Sequence, residues 1–133
     1  MDTVPPLKIL LVEDNPINQK VASRVLEKAG HSVTIAGNGM EAITQVSDSE
    51  FDLVLMDVMM PEMDGITATV AIRESELGTD RHLPIVALTA NAMLGDREKC
   101  LEAGMDGYVS KPIQPPVLFQ EIAQTMRRFR NVE

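Results

Sequence analysis

The sequence predicts an α/β protein built on a doubly wound parallel sheet of five strands in the order 2-1-3-4-5, with helices on both faces. Short aliphatic runs alternate five times with longer segments of helical period. The mid-chain runs are nearly continuous in Val, Ile and Leu, as expected for parallel strands covered on both sides. A chain of 133 residues suits one domain with a sizeable core. Right-handed crossovers leave few topologies for five βα units, and 2-1-3-4-5 is the common small one.

Each element follows from local signals. Leu7 to Val12 is the first strand. Pro16 to Ala29 is a helix, with Ala22, Val25, Leu26 and Ala29 on one stripe, Pro16 in the first turn and Gly30 as terminator. Ser32 to Ala36 sets Val33 and Ile35 against Ser32 and Thr34, which suits an edge strand with one wetter face. Leu53 to Met56 and Ile85 to Leu88 read as central strands, and Tyr108 with Val109 as a short last one. Gly39 to Val46, Ile66 to Ser75, Asp96 to Ala103 and Pro116 to Phe129 read as the other helices. Gly104 closes the fourth, while Pro115 and Pro116 open the fifth. Residues 1–6 read as a linker end, 7–130 as the domain and 131–133 as a tail. Arg127, Arg128 and Arg130 complement the dipole at the last helix's C-terminus.

Composition excludes several functions. The net charge of -8 repels nucleic-acid phosphates and anionic lipid. With Tyr108 as the one tyrosine and no Trp, the chain lacks platforms for stacking bases or a flavin ring. A single Cys100 allows neither an internal disulfide nor a cysteine metal cluster, and cytoplasm is the expected compartment. The Leu7 to Val12 run is far shorter than the roughly 20 residues of a membrane span.

Ligands of open α/β sheets bind past the carboxyl ends of the strands, at the switch point. Strand one runs into Glu13 and Asp14, strand three into Asp57, strand four into Thr89, and strand five into Ser110 and Lys111. In the order 2-1-3-4-5 strands one and three are neighbours, so Asp14 and Asp57 lie side by side with Glu13 close behind. Three carboxylates in one crevice repel, and a hard divalent cation, Mg²⁺, relieves that best. A carboxylate beside such a cation can attack a phosphoryl group, with the Lys ammonium and Thr hydroxyl holding its oxygens.

These residues fall within motifs. Val12-Glu13-Asp14-Asn15, Met56-Asp57-Val58-Met59-Met60-Pro61-Glu62-Met63-Asp64-Gly65, Leu88-Thr89-Ala90 and Tyr108-Val109-Ser110-Lys111-Pro112 occur in that order. With them the chain, from Lys8 to about Phe129, resembles a receiver domain of two-component signalling, which has the CheY-like, flavodoxin-like fold. The resemblance implies that Asp57 accepts phosphate from a phosphohistidine, while Asp14, Asp57 and the backbone carbonyl of Met59 hold Mg²⁺ and Glu13 acts mainly through water. It implies that Thr89 is the switch hydroxyl, Tyr108 the switch aromatic and Lys111 the phosphate-binding lysine, followed by a cis proline, Pro112. The wording Glu13-Asp14-Asn15-Pro16-Ile17-Asn18-Gln19 and Ala87-Leu88-Thr89-Ala90-Asn91-Ala92-Met93 is similar to receivers of hybrid sensor histidine kinases. That implies a kinase dimerisation domain or a histidine phosphotransfer protein as partner, and a monomer in isolation. No output domain follows Glu133, which fits a stand-alone receiver or a piece of a longer kinase.

With Ala22, Val25, Leu26 and Ala29 inward, a rotation of 100° per residue turns Ile17 and Val21 outward. Beside Asn15 and across from Pro112 and Ile113, they form an apolar patch for a histidine-bearing helical bundle. Plainer readings apply elsewhere. Cys100 reads as core, Met56, Met59, Met60 and Met63 as packing without soft-metal companions, and Lys20, Arg24 and Lys28 as a solvent face. His31 and His82 lie at turns with nothing to pair them, and both read as solvated. A lone Asp14 would be a helix cap; the constellation argues otherwise. A phosphatase of the haloacid dehalogenase type needs a second Asp two positions after the nucleophile, where this chain has Met59. A pseudo-receiver would lack members of the phosphorylation set, and a flavodoxin would have a hydroxyl-rich phosphate loop.

Overall fold

Strands and helices alternate strictly: β1 (Lys8–Val12), α1 (Pro16–Lys28), β2 (Ser32–Ala36), α2 (Gly39–Asp48), β3 (Leu53–Asp57), α3 (Gly65–Glu76), β4 (Ile85–Thr89), α4 (Leu94–Ala103), β5 (Gly107–Ser110) and α5 (Pro115–Arg130). The structure is a computed structural model that describes residues 6–58, 65–89, 94–111 and 113–130, apart from the side chains of residues 94–97, 129 and 130. The sheet has the expected order β2-β1-β3-β4-β5, parallel throughout. β2 is an edge, as its alternation predicts.

Alternate residues of each strand enter opposite cores. Ile9, Leu11, Leu53, Leu55, Val86 and Leu88 pack with Ala22 and Leu26 of α1 and with Leu118, Ile122 and Met126 of α5. Leu10, Val12, Val54, Met56, Ile85 and Ala87 pack on the other face with Ala42, Ala68, Ile72 and Cys100. Each large aliphatic side chain fully buried in this way contributes about 1.5–3 kcal/mol. β3 and β4 are buried at every residue, which explains why their sequences do not alternate.

The helices start where side chains can cap them. Asn15 Oδ1 accepts the amides of Ile17 (2.9 Å) and Asn18 (3.2 Å), satisfying donors that the first turn leaves open. At α2, Asn38 Oδ1 accepts the Glu41 amide (2.9 Å) and Glu41 Oε1 accepts the Gly37 amide (2.8 Å), a reciprocal cap.

Two readings of the sequence need correction. Ala29 caps α1 and is exposed, because the helix ends at Lys28 and the chain turns away through Gly30 at φ 98. His31 is buried rather than solvated: its Nδ1 accepts the Leu7 amide at 3.0 Å, which holds the strand start against the end of α1. Burial lowers its pKa from the ordinary 6.5. His82 is also paired, its Nε2 lying 2.8 Å from Asp106 Oδ1. Asp106 is the hub at the amino-terminal ends of the strands. Its Oδ2 accepts from Arg73 Nη2 (2.9 Å) and from the Ile85 amide (2.8 Å), and its carbonyl accepts from Arg128 Nη1 (2.8 Å). Arg73 also donates to the Gly104 carbonyl (2.9 Å) and to Glu76 (2.7 Å). The Asp106 carboxylate and the Arg73 guanidinium thereby clasp α3, β4 and the α4–β5 turn, and Arg128 ties α5 to the Asp106 backbone.

Candidate functional site

The carboxyl ends of the strands deliver the candidate residues to one crevice. Val12 stands opposite Met56, so the next residues along, Glu13 and Asp57, come side by side. Asp57 pairs with Leu88 and Thr89 with Ser110, and the Lys111 amide bonds the Thr89 carbonyl at 2.7 Å. Lys111 Nζ reaches back to Glu13 Oε1 at 2.8 Å and Asp57 Oδ2 at 3.1 Å. Glu13, Asp14 and Asp57 each offer an oxygen within 4.8 Å of the others. Glu13 and Asp57 are buried at 1% and 3% exposure, while Asp14 faces solvent.

The electrostatics follow from that burial. Loss of hydration pushes the Asp57 carboxyl up to about 6, and the adjoining Glu13 adds to the rise while Lys111 opposes it. Glu13 goes the other way. Burial would raise it, but hydrogen bonds from Lys111, Asp57 and the Asn15 amide together hold it below the usual carboxylate value. Burial would lower the Lys111 ammonium, yet its two carboxylate partners raise it. The two neighbouring carboxyls are thus pushed in opposite directions, Asp57 up and Glu13 down.

Thr89 is buried at the end of β4, and Tyr108 is half-buried against the α2–α4 side of the core. An open cleft of about 390 Å³ runs from Tyr108 past Ser110 and Lys111 to Gln114 and Val117. Ile17 and Val21 are exposed on α1, at 72% and 49%. Asn15 is exposed and caps that helix, and Ile113 is half-buried, packed on the α1/α5 core. The Met59 carbonyl and Pro112 lie outside the described residues.

Two further residues, not singled out in the sequence, shape the site. Gln19 Nε2 donates to the Glu13 carbonyl at 2.6 Å and fixes the turn after β1. Gly65 packs its Cα against the end of β3, where a Cβ would overlap the Asp57 carbonyl oxygen, and its amide bonds the Val58 carbonyl at 3.1 Å. The signal for Gly65 was its place at the close of the Asp57 motif and the opening of a helix.

A parallel α/β sheet with acidic residues and a lysine at its switch point places the chain among the open α/β domains that bind ligands there. The family model described as the response regulator receiver domain matches residues 9–123, and the chain belongs to that family. Hybrid signal transduction histidine kinase I of Dictyostelium discoideum is 46% identical over 122 residues, covering 88% of this chain and 7% of that protein. Histidine kinase 1 of Arabidopsis thaliana is 40% identical over 149 residues, covering 87% of this chain and 12% of that protein. The chain thus spans a small part of these curated relatives. Among solved structures, the receiver domain of a Pseudomonas aeruginosa sensor histidine kinase is 41% identical, with a TM-score of 0.78, covering 93% of this chain and 97% of that one. That structure has a magnesium ion coordinated in its active site cleft. Vibrio cholerae chemotaxis protein CheY4 is 27% identical, with a TM-score of 0.83, covering 91% of this chain and 99% of that one. The chain is a receiver domain of the kind found in hybrid histidine kinases and response regulators, with which a phosphoacceptor role is consistent. Neither the phosphatase nor the pseudo-receiver reading is favoured.

Proposed function

We propose that Asp57 is the phosphoacceptor of this receiver, which spans residues 7–130, and that it takes its phosphoryl group from a phosphohistidine. The observation that carries the reading is the meeting of three carboxylates and one ammonium: Glu13, Asp14 and Asp57 within 4.8 Å, and Lys111 3.1 Å from Asp57. When all are ionised, three negative charges face one positive, and a divalent cation balances the remaining two. Hard oxygen donors, one of them open to solvent, suit Mg²⁺. Asp14 and Asp57 would hold it directly, with the Met59 carbonyl, and Glu13 through water. When bound, Mg²⁺ draws charge from the phosphoryl oxygens and lowers the repulsion met by the attacking carboxylate.

The chain's own groups do the rest. An Asp57 oxygen forms the new P–O bond as the P–N bond to the donor imidazole breaks, the imidazole keeping the electron pair and taking a proton from water. Lys111 turns from the Asp57 carboxylate to the phosphoryl oxygens. The Thr89 hydroxyl follows, and the Tyr108 ring moves into the space left behind, a shift of population between two states. The donor or onward acceptor is a kinase dimerisation domain or a histidine phosphotransfer protein. It docks on Asn15, Ile17, Val21, Pro112 and Ile113, a reading supported by the exposure of Ile17 and Val21 on the helix that follows Asp14. Among the described residues no helix is long and apolar enough to cross a membrane. That agrees with work in the cytoplasm, alone or as part of a membrane-bound kinase.

The test is intact mass after incubation with acetyl phosphate and Mg²⁺. One phosphoryl group is gained, and the gain is lost on chelation or in Asp57→Asn. Equal labelling of Asp57→Asn overturns the assignment, and steady release of phosphate over many turnovers returns the phosphatase reading.

A further inference from the structure

The outward face of α1 is divided along its length. Ile17, Lys20, Val21, Arg24 and Lys28 fall on one stripe at helical spacing, opposite the buried Ala22 and Leu26, and all five are exposed. The end nearest Asp57 carries both aliphatic residues, with Lys20 between them, and the far end, at Arg24 and Lys28, is cationic. The charge is not what the chain's total of -8 leads one to expect. α1 and α5 cover one face of the sheet, and their described side chains include five cations, Lys20, Arg24, Lys28, Arg127 and Arg128, against Glu27 and Glu121. The described side chains of α2, α3 and α4, on the other face, carry two cations against six anions.

We propose that this stripe selects a partner helix bundle whose acidic residues lie to one side of its apolar, histidine-bearing centre. The proposal rests on the docking reading above and adds the chemistry of the partner. At 1.5 Å per residue, Arg24 and Lys28 stand about 10 and 16 Å along the helix from Ile17. The partner's carboxylates lie at those distances from its aliphatic anchor, so apolar contact sets the fit and charge sets the register and the rate of encounter. An acidic bundle approaching the α2–α4 face of this chain meets net negative charge and is turned away. Nucleic acid and anionic membranes carry the charge of a suitable ligand, but they present no aliphatic surface at that spacing to cover Ile17 and Val21, and the whole chain repels them.

The probe is a four-helix histidine phosphotransfer domain with Asp and Glu beside its histidine, together with a twin in which those residues are Lys. Association is followed by stopped flow at low and high salt. Lys20→Glu/Arg24→Glu/Lys28→Glu lowers the on-rate for the acidic probe about tenfold at low salt, and the difference closes at high salt. The same variant associates faster with the Lys twin than the wild type does. Thermal melting establishes that the variant is folded; the corresponding triple Ala variant loses about threefold and serves if it is not. Equal on-rates for all receivers overturn the proposal. So does binding of the wild type to duplex DNA or phosphatidylserine vesicles that the variant abolishes, or self-association of the wild type in sedimentation that the variant abolishes. Acetyl phosphate labelling of the wild type tests Asp57 separately, so failure there leaves the association result standing.

Discussion

Gly65→Ala adds one methyl group where the structure has no room for it. The new Cβ would overlap the Asp57 carbonyl oxygen and lie 2.9 Å from Met56 Cγ and 3.0 Å from the Asp57 carbonyl carbon. Two of those neighbours are backbone at the end of β3, so relief requires α3 to move outward or the strand end to shift. Overpacking of this kind costs about 1–3 kcal/mol. Alanine returns about 0.5–1 kcal/mol through the lower entropy of the unfolded chain and its better helix propensity. The net loss is about 1–2 kcal/mol, and for a domain of this length that lowers Tm by about 4–8 °C. The same push moves the carboxylate that Lys111 holds at 3.1 Å. A displacement of ~1 Å in a reacting group costs about 100-fold in rate. Calorimetry and intact-mass kinetics with acetyl phosphate, run well below the variant's Tm, read the two effects separately. A variant that melts and labels like the wild type would refute the close approach of Gly65 to Asp57.

Three further outcomes follow from other parts of the molecule. Asp106→Ala strips a largely buried guanidinium, a histidine and the Ile85 amide of one partner, and costs about 3–5 kcal/mol in urea unfolding; a loss under ~1 kcal/mol would place the clasp with ordinary surface pairs. Thr89→Ala still gains a phosphoryl group, but beryllofluoride moves the amide resonances around Tyr108 less than in the wild type. Full movement without the hydroxyl would disprove the coupling. The folded-state pKa of His31 is below its ordinary 6.5, so the unfolded chain takes the proton more readily. The stabilisation is whole above that value and is lost as pH falls through it toward the folded pKa. His31→Gln, which keeps an acceptor for the Leu7 amide, flattens that slope in urea titrations across pH, and an unchanged slope would rule His31 out as its source.

The fold was legible because burial on both faces leaves an unbroken aliphatic run, and Leu53 to Met56 or Ile85 to Leu88 cannot hide that. Boundaries were less so. Ala29 continues the apolar stripe of α1 by spacing alone, yet the turn at Gly30 carries it into solvent. The positions of Glu13, Asp14, Asp57, Thr89 and Lys111 were legible for a topological reason: in a parallel sheet every carboxyl end lies along one edge, so the residue after each run is brought to the same place. Partners fixed only by tertiary distance left no such trace. Arg73 and Asp106 are separated by 33 positions and His31 and Leu7 by 24, and no periodicity connects them. A histidine at a turn reads as solvated until the strand that covers it is in place.

In the proposed transfer Glu13 has a task beyond adding negative charge to the crevice. Lys111 is shared at 2.8 Å with Glu13 and 3.1 Å with Asp57, and its hydrogen bond helps hold the Glu13 carboxyl below the ordinary carboxylate value. If Asp57 alone held the ammonium, forming the P–O bond would remove the lysine's only anchor as its charge was needed. With Glu13 as the second anchor, Lys111 keeps one charge-assisted bond while another of its three donors turns to the new oxygens. The Gln19 contact to the Glu13 carbonyl and the Asn15 amide on its carboxylate hold that anchor still. On that proposal, the acidic residue that makes the crevice costly to bury is also the one that would keep its cation in position through the transfer.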